Sequence, residues 1–528
     1  MHALLLSGLG VTYKNSNYFG KSLLKDERDA KARAILARSG APSLKLSELT
    51  FAKGDDRVSL LRPPDEAPHL TTFTLESILS RSDHSYTHMA LENVWDDRDA
   101  RPPADIGVVL LSTTYIWNRP MLAHAMDWIR RTCPDIPVIA GGQYSNLKYM
   151  LILAEYPEIA AVVRGDAEIA LPLLLDRMQY SRDFDAVPNV VWRSVEGLRV
   201  NPIEYVDIDA FPSPSFPHAF VVAPYESMRG CPFDCKFCSF PAASPKWRYK
   251  SADKIKRDWT RYHDENGVSQ IEAMDSTFTV PPARLRELLD ILPGSSIPRW
   301  SCYSRANVIN SNQFIEGLAA CNCSHLEIGF ESMNDQTLKR MSKRVTVKQN
   351  RRAFELLSNS DMGYGVNFII GYPGENEVTF QDTRSFLVSE YAGRFALHMF
   401  SVSDETMPLW RDRDELAITV QDPLDPDSAW SHVGMTSMQA RRMQLETLDE
   451  IRRKNDRAIV SLWQREYQRP LLPGVDRKAN FVVEKALERL AMVALDYSDI
   501  DEGAECVKRQ LGTLRAYGIE HAVTIGGP

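Results

Sequence analysis

Cys231, Cys235 and Cys238 fall within eight residues, in Cys231-Pro-Phe-Asp-Cys235-Lys-Phe-Cys238. Three thiolates this close cannot all pair as disulfides without leaving one over. A looped backbone can instead converge them on one metal centre. Thiolates are the soft ligands that iron–sulfur clusters require. A four-iron cluster held by three cysteines leaves one iron without a protein ligand, open to a small molecule. A zinc site would want a fourth Cys or His nearby, and no His lies between 219 and 262.

The wider setting, Met228-Arg-Gly-Cys-Pro-Phe-Asp-Cys-Lys-Phe-Cys-Ser, resembles the radical S-adenosylmethionine (SAM) enzymes. The resemblance implies a [4Fe-4S] cluster on the three cysteines. Its open iron would bind the amino and carboxylate groups of SAM, and electron transfer would cleave SAM to a 5′-deoxyadenosyl radical. Phe237 matches an aromatic that flanks the SAM adenine in that family. Asp275 and Ser276, in Glu272-Ala-Met-Asp275-Ser276-Thr-Phe278, stand where the family often has an acidic residue near SAM. A carboxylate there can accept from the SAM amine or ribose hydroxyls. Arg305 ends Cys302-Tyr-Ser304-Arg305. A guanidinium pairs bidentately with carboxylate, so Arg305 is read as a partner of the SAM carboxylate, or else as half of an internal ion pair. Ser304 is read as a neighbouring SAM contact. Leu326-Glu-Ile-Gly329-Phe-Glu331-Ser332 looks like the family's Gly-x-Glu-Ser signature, which implies that Glu331 and Ser332 contact SAM. Ile369-Ile-Gly371-Tyr-Pro373-Gly374-Glu375 looks like its fifth-strand turn, with Gly371 beside the cofactor. Cys302, Cys321 and Cys323 are read as core or loop packing, with Cys302, at a strand's active end, the one that the resemblance leaves open as a catalytic cysteine.

These residues need strands to carry them. From 219 to 405 strands are expected near 269–275, 298–304, 325–331, 362–371 and 395–402, after a first one leading into the cysteines. Helical patterns lie between them, which fits a partial (β/α)6 barrel with its chemistry at the strands' carboxyl ends. Residues 1–205 alternate in the same way: buried strands at His2–Gly8, Ile106–Ser112, Ile136–Gly142 and Ala160–Asp166, a further strand at Tyr86–Leu91, and helices at 72–81 and 119–132. That rhythm implies an α/β, doubly wound parallel sheet of Rossmann-like type. Ligands of such sheets sit beyond the strands' carboxyl ends, at a switch in strand order. Ser112-Thr113-Thr114-Tyr115, Gly141-Gly142-Gln143 and Arg164-Gly165-Asp166-Ala-Glu168 occupy those ends.

The order of these turns, followed by the cysteine motif, looks like the cobalamin-binding class of radical SAM enzymes. That resemblance implies cobalamin contacts at Ser112, Thr113, Gly141, Gly142 and Gln143. The Asp-x-His-x-x-Gly pattern that supplies a lower cobalt ligand in many cobalamin domains is absent, so base-off cobalamin without a His ligand is expected. Thr12-Tyr-Lys-Asn-Ser-Asn-Tyr would follow the first strand at the cofactor edge. Phe211-Pro-Ser-Pro-Ser-Phe-Pro reads as an extended connector. The segment 406–528 reads as helical, with helices over 438–451 and 484–495, and resembles the variable region that closes over substrate in this class. Trp430, His432 and Met435 are expected to pack helices or face the site.

With 528 residues and a net charge of −8, the chain is too long for one core and carries no basic footprint for nucleic acid. Eight cysteines, three of them in one motif, fit a reducing cytoplasm. Neither a signal peptide nor a membrane span is expected from the first residues. The resemblance implies methylation of an unactivated carbon, or of phosphorus, in a small-molecule biosynthetic intermediate. SAM would be used twice, and an electron donor such as flavodoxin or ferredoxin would be needed. Rearrangement or cyclisation without methyl transfer is the first alternative, and a cobalamin-free RNA-modifying enzyme the second.

Overall fold

The computed structural model describes residues 1–8, 25–53, 56–60, 69–95, 101–180, 183–216, 221–402, 405–422, 428–460, 470–472 and 474–521. The expectation for Thr12–Tyr18 lies outside the described residues.

Apolar residues on both faces of a strand require cover on both faces. Leu4 and Leu6 join one core with Val109, Leu111, Val138 and Ala140, while Ala3 and Leu5 join another with Val108, Leu110, Ile139 and Ala161. Helices Arg119–Thr132 and Ala170–Tyr180 supply buried residues to these two cores. The sheet between them runs Ser85–Ala90, His2–Ser7, Val108–Ser112, Val138–Gly141, Ile159–Val163, all parallel. Two antiparallel strands that the sequence pattern did not suggest, Val190–Ser194 and Gly197–Val200, extend one edge. From His2–Ser7 the chain moves outward to Ser85–Ala90 and returns on the other side to Val108–Ser112. The switch in strand order therefore opens between Ser7 and Ser112.

The second sheet follows chain order: Val222–Tyr225, Gln270–Ala273, Arg299–Arg305, Cys323–Glu331, Gly363–Ile370 and Gly393–Met399, each parallel to the last. Leu326, Ile328 and Phe330 sit in the core, and His325, Glu327 and Glu331 alternate with them onto the opposite, polar side. A seventh strand, Ala458–Val460, pairs with Gly393–Phe395. It comes from the segment expected to be helical, so 406–528 is not wholly a cap on the sheet.

A further correction concerns the boundaries. Residues 25–60 do not belong with the first sheet. Leu49–Phe51 pair with Ile519–His521, and Ile35, Leu49 and Leu60 share a core with Val483, Leu487, Val507 and Leu514. The Lys25–Ser39 helix thus packs with helices Arg477–Asp496 and Ile500–Ala516. Neither end of this pairing shows a periodicity that names its partner. The proline-rich connector is pinned as well: the Pro214 carbonyl accepts from Arg261 and from the Tyr262 hydroxyl, and Phe216 enters the barrel core.

Candidate active site

The cysteine loop leaves and re-enters the barrel through a two-residue ribbon, Met228–Arg229 against Arg248–Tyr249. Its root is held from the second barrel strand. Asp275 accepts from the amides of Ser227 (2.8 Å) and Met228 (2.9 Å) and from the Ser227 hydroxyl (2.5 Å). Burial raises this carboxyl to about 6, against those donors and Arg284. The Ser276 hydroxyl donates to the Gly230 carbonyl at 3.1 Å. Gly230 has φ +79, and a Cβ there would lie 2.7 Å from the Lys246 carbonyl, so only glycine lets the loop pass.

Cys235 is buried, Cys231 and Cys238 are half-buried, and none is in a disulfide. Burial pushes the Cys238 thiol up to about 11; the Phe240 amide opposes this, and Cys235 and Cys231 add to it. Arg305 lies with its guanidinium 3.8 Å from the Phe233 ring centre, donates to Cys235 Sγ at 3.7 Å and donates to the Lys343 carbonyl. Its Nε is buried and makes no hydrogen bond among the described residues. Lys343 donates to Glu331 at 2.6 Å, both side chains being buried, and its Nζ lies 5.6 Å from the Phe237 ring centre. Glu331 has φ +64 at a register shift in its strand. Gly329 leaves the room: a Cβ there would fall on the Glu331 carboxylate and 2.8 Å from Lys343 Nζ. A non-glycine residue at positive φ beside a buried ion pair is strain concentrated at one place.

Between this loop and the first sheet lies a cavity of about 470 Å³. One wall is Ser112, Thr114, Gly141, Gly142, Gln143 and the Gly165–Glu168 turn; the other is Glu226, Met228, Arg229, Glu272, Met274 and Ser276, with Ala243 and Ser244 from just beyond the cysteines. The cavity spans the switch in strand order. Gly142 has φ +105, and a Cβ there would lie 2.7 Å from the Thr114 amide, which keeps this backbone bare. Asn146 donates to the Ala243 carbonyl and ties the two walls together.

Residues 225–387 match the family model described as the Radical SAM superfamily. The chain carries a radical SAM domain. Over 269 residues it is 26% identical to an uncharacterised methyltransferase of Pyrococcus horikoshii, covering 48% of this chain and 58% of that one. Over 271 residues it is 24% identical to the anaerobic magnesium-protoporphyrin IX monomethyl ester cyclase of Rubrivivax gelatinosus, covering 47% and 48%. The chain thus spans only about half the length of these relatives. The structure of the radical S-adenosylmethionine methyltransferase TsrM from Kitasatospora setae, with cobalamin and a [4Fe-4S] cluster bound, superposes with a TM-score of 0.58 over 98% of this chain and 99% of that one. At 14% identity that likeness is one of fold.

A radical SAM domain implies a [4Fe-4S] cluster and SAM, and the residues present fit both. Among the described residues no three His, Cys, Asp or Glu side chains close on a point as they would around one ion. A cluster ligated one cysteine per iron spreads its thiolates instead, and three neighbouring free thiols on one tightly rooted loop suit it. The orphaned Nε of Arg305 is a buried donor available to a carboxylate beside that loop.

Several expected contacts are turned elsewhere. The Ser304 hydroxyl meets Thr279 at 3.0 Å. That of Ser332 meets Thr383 at 3.4 Å and accepts from the Asn334 amide. Thr113 donates to the Gly141 carbonyl and meets Ser145, so it shapes the glycine turn and does not line the cavity. Gly371 lies under Trp430: its amide donates to Glu375, its carbonyl accepts from His432, and a Cβ would come within 2.6 Å of the indole. Asp275 and Ser276 line the cavity, but their polar atoms are engaged by the loop root. Trp430, His432 and Met435 are buried. Sequence reasoning did not single out Thr114, Asn146, Arg229, Arg248 or Lys343. Of these, Thr114 and Arg229 sit in stretches read above as family-like. His69 also lines the cavity, with Nδ1 2.8 Å from the Thr72 hydroxyl.

Proposed function

We propose that the chain is a cobalamin-dependent radical SAM methyltransferase acting on a small-molecule biosynthetic intermediate at an unactivated carbon, or at phosphorus. The observation that carries this reading is the single cavity walled on one side by the glycine turns at the parallel sheet's switch point and on the other by the root of the cysteine loop. A corrin admitted by the first wall would lie against the root of the loop that carries the cluster cysteines. When bound, the cluster with SAM supplies a radical and cobalamin a transferable methyl group. The chain's own residues hold and orient. Cys231, Cys235 and Cys238 take the cluster. Arg305 offers its free Nε to the SAM carboxylate, and Phe237 backs the adenine. Gly141 and Gly142 admit the corrin, with Ser112 and Gln143 at its edge. The Asp-x-His-x-x-Gly motif is absent and His69 Nδ1 is engaged with the Thr72 hydroxyl, so a bound cobalamin would be base-off without a His ligand. A one-electron donor such as flavodoxin or ferredoxin completes the system.

The test is anaerobic purification with cluster reconstitution and added cobalamin, followed by iron and cobalt analysis, spectra and SAM carrying a labelled methyl group. About four irons and one cobalt per chain support the reading. Cob(II)alamin paramagnetic resonance without nitrogen splitting supports the base-off state. Label in a product separates methyl transfer from the cyclisation named for one relative. Iron without retained cobalt defeats the proposal and returns the RNA-modifying alternative.

A further inference from the structure

The Arg164–Glu168 turn ends a strand of the first sheet, yet its acidic groups are spent on the barrel. Asp166 accepts from Arg248 through both oxygens (2.5 and 3.2 Å) and from Arg229 at 3.0 Å. Glu168 accepts from Arg229 at 2.5 Å, and Glu226 accepts from the Arg229 Nε at 3.0 and 3.1 Å. Burial alone would raise the Asp166 carboxyl; Arg248 and Arg229 more than offset that and hold it below the usual range. The Val206 amide donates to the same carboxylate at 2.9 Å.

Chain position gives this cluster its meaning. Arg229 stands two residues before Cys231 and Arg248 ten after Cys238, on opposite strands of the ribbon that opens and closes the cysteine loop. One aspartate of the first sheet therefore grips both ends of the loop. Asp166, Glu168 and Arg229 also line the cavity. A ligand that presses on the Gly165–Glu168 turn must move, or be fixed by, the group that sets the loop's two ends.

We propose that Asp166, Arg229 and Arg248 are positioning residues that couple occupancy of the cavity to the cysteine loop, so that cluster and cobalamin each favour the other's binding. This rests on the two-cofactor reading above. Coupling between two sites is reciprocal and reads as a ratio of affinities. The experiment titrates hydroxocobalamin anaerobically into the full chain with and without reconstituted cluster. The wild type is expected to bind at least about fivefold more tightly with the cluster present. In Arg229→Gln the ratio falls to near one while both forms still bind; in Arg248→Lys, which keeps the charge, it is partly retained. A merely structural role would weaken both affinities together and leave the ratio alone. Should Arg229→Gln fail to fold by circular dichroism or to take up iron, Glu168→Gln removes one contact of Arg229 and leaves the Asp166 pairs intact; its ratio must also drop. Equal affinities in the two wild-type forms, or an unchanged ratio in a folded variant, overturn the coupling. Absence of cobalamin binding in both wild-type forms overturns the cavity reading itself and the coupling with it.

Discussion

Glu375 makes the turn after the fifth barrel strand a pH-dependent element. Its carboxyl is fully buried; one oxygen accepts from the Gly371 amide at 2.7 Å and the other has no hydrogen-bond partner among the described residues. Burial raises it from its ordinary 4.5 to about 8, against the Gly371 and Tyr372 amides. For an acid raised on folding, the stabilisation is full below the unfolded value and is lost as pH climbs to the folded one. The loss runs at about 1.4 kcal/mol per pH unit between those limits. The turn is docked to the C-terminal region through His432, whose Nδ1 accepts from the amides of Gly374 (3.2 Å) and Gly434 (3.0 Å). Burial lowers that imidazole from 6.5 to about 4, so its contribution is present above 6.5 and fades as pH falls. Hydrogen exchange of the 371–375 and 430–440 segments, corrected for intrinsic rates, reads the opening of this docking. Comparing wild type with Glu375→Gln cancels the histidine, which titrates alike in both. From pH 5.5 to 7.5 the opening free energy of the wild type should fall by about 2.5 kcal/mol relative to the variant, about 70-fold in protection. Equal pH profiles in the two proteins would refute the reasoning.

Three further outcomes follow from single sites. Cys235→Ala should reduce reconstituted iron from about four to below one per chain, measured by metal analysis. Gly142→Ala places a side chain at φ +105 with its Cβ 2.7 Å from the Thr114 amide; it should cost about 1–3 kcal/mol in thermal unfolding and abolish hydroxocobalamin binding. Lys343→Met leaves Glu331 buried without its cation and should cost about 3–5 kcal/mol, most of it recovered when Glu331→Leu is added.

The fold was legible wherever a strand announced itself by an apolar run. Val108–Ser112 and Gly363–Ile370 are found within a few residues of their expected places because each is buried on the sheet and bounded by glycine or polar turns. Short elements gave no such signal. Ala458–Val460 has three residues, too few for a periodicity, and only its neighbour Gly393–Phe395 makes it a strand. The pairing of Leu49–Phe51 with Ile519–His521 joins residues about as far apart as the chain allows, and no local pattern encodes it. The Asp166 cluster was hidden for the same reason: its carboxylates and guanidiniums are ordinary charges in the sequence, and only the approach of the two sheets brings them together.

Several of the expected site residues have partners inside the protein. Ser304 and Arg305, Glu331 and Ser332, Ser112 and Thr113 are adjacent pairs at the carboxyl ends of parallel strands, and each pair was assigned whole to a cofactor. The two side chains of each pair take different partners, within the strand at Ser304 and Arg305 and at the strand's end in the other two pairs. Arg305 reaches Cys235 while Ser304 meets Thr279. Glu331 meets Lys343 while Ser332 meets Thr383 on the Glu377–Ser389 helix. Ser112 lines the cavity while Thr113 binds Ser145 on the Gln143–Glu155 helix. At each of these strand ends at least one side chain of the pair fastens the surrounding turn or helix.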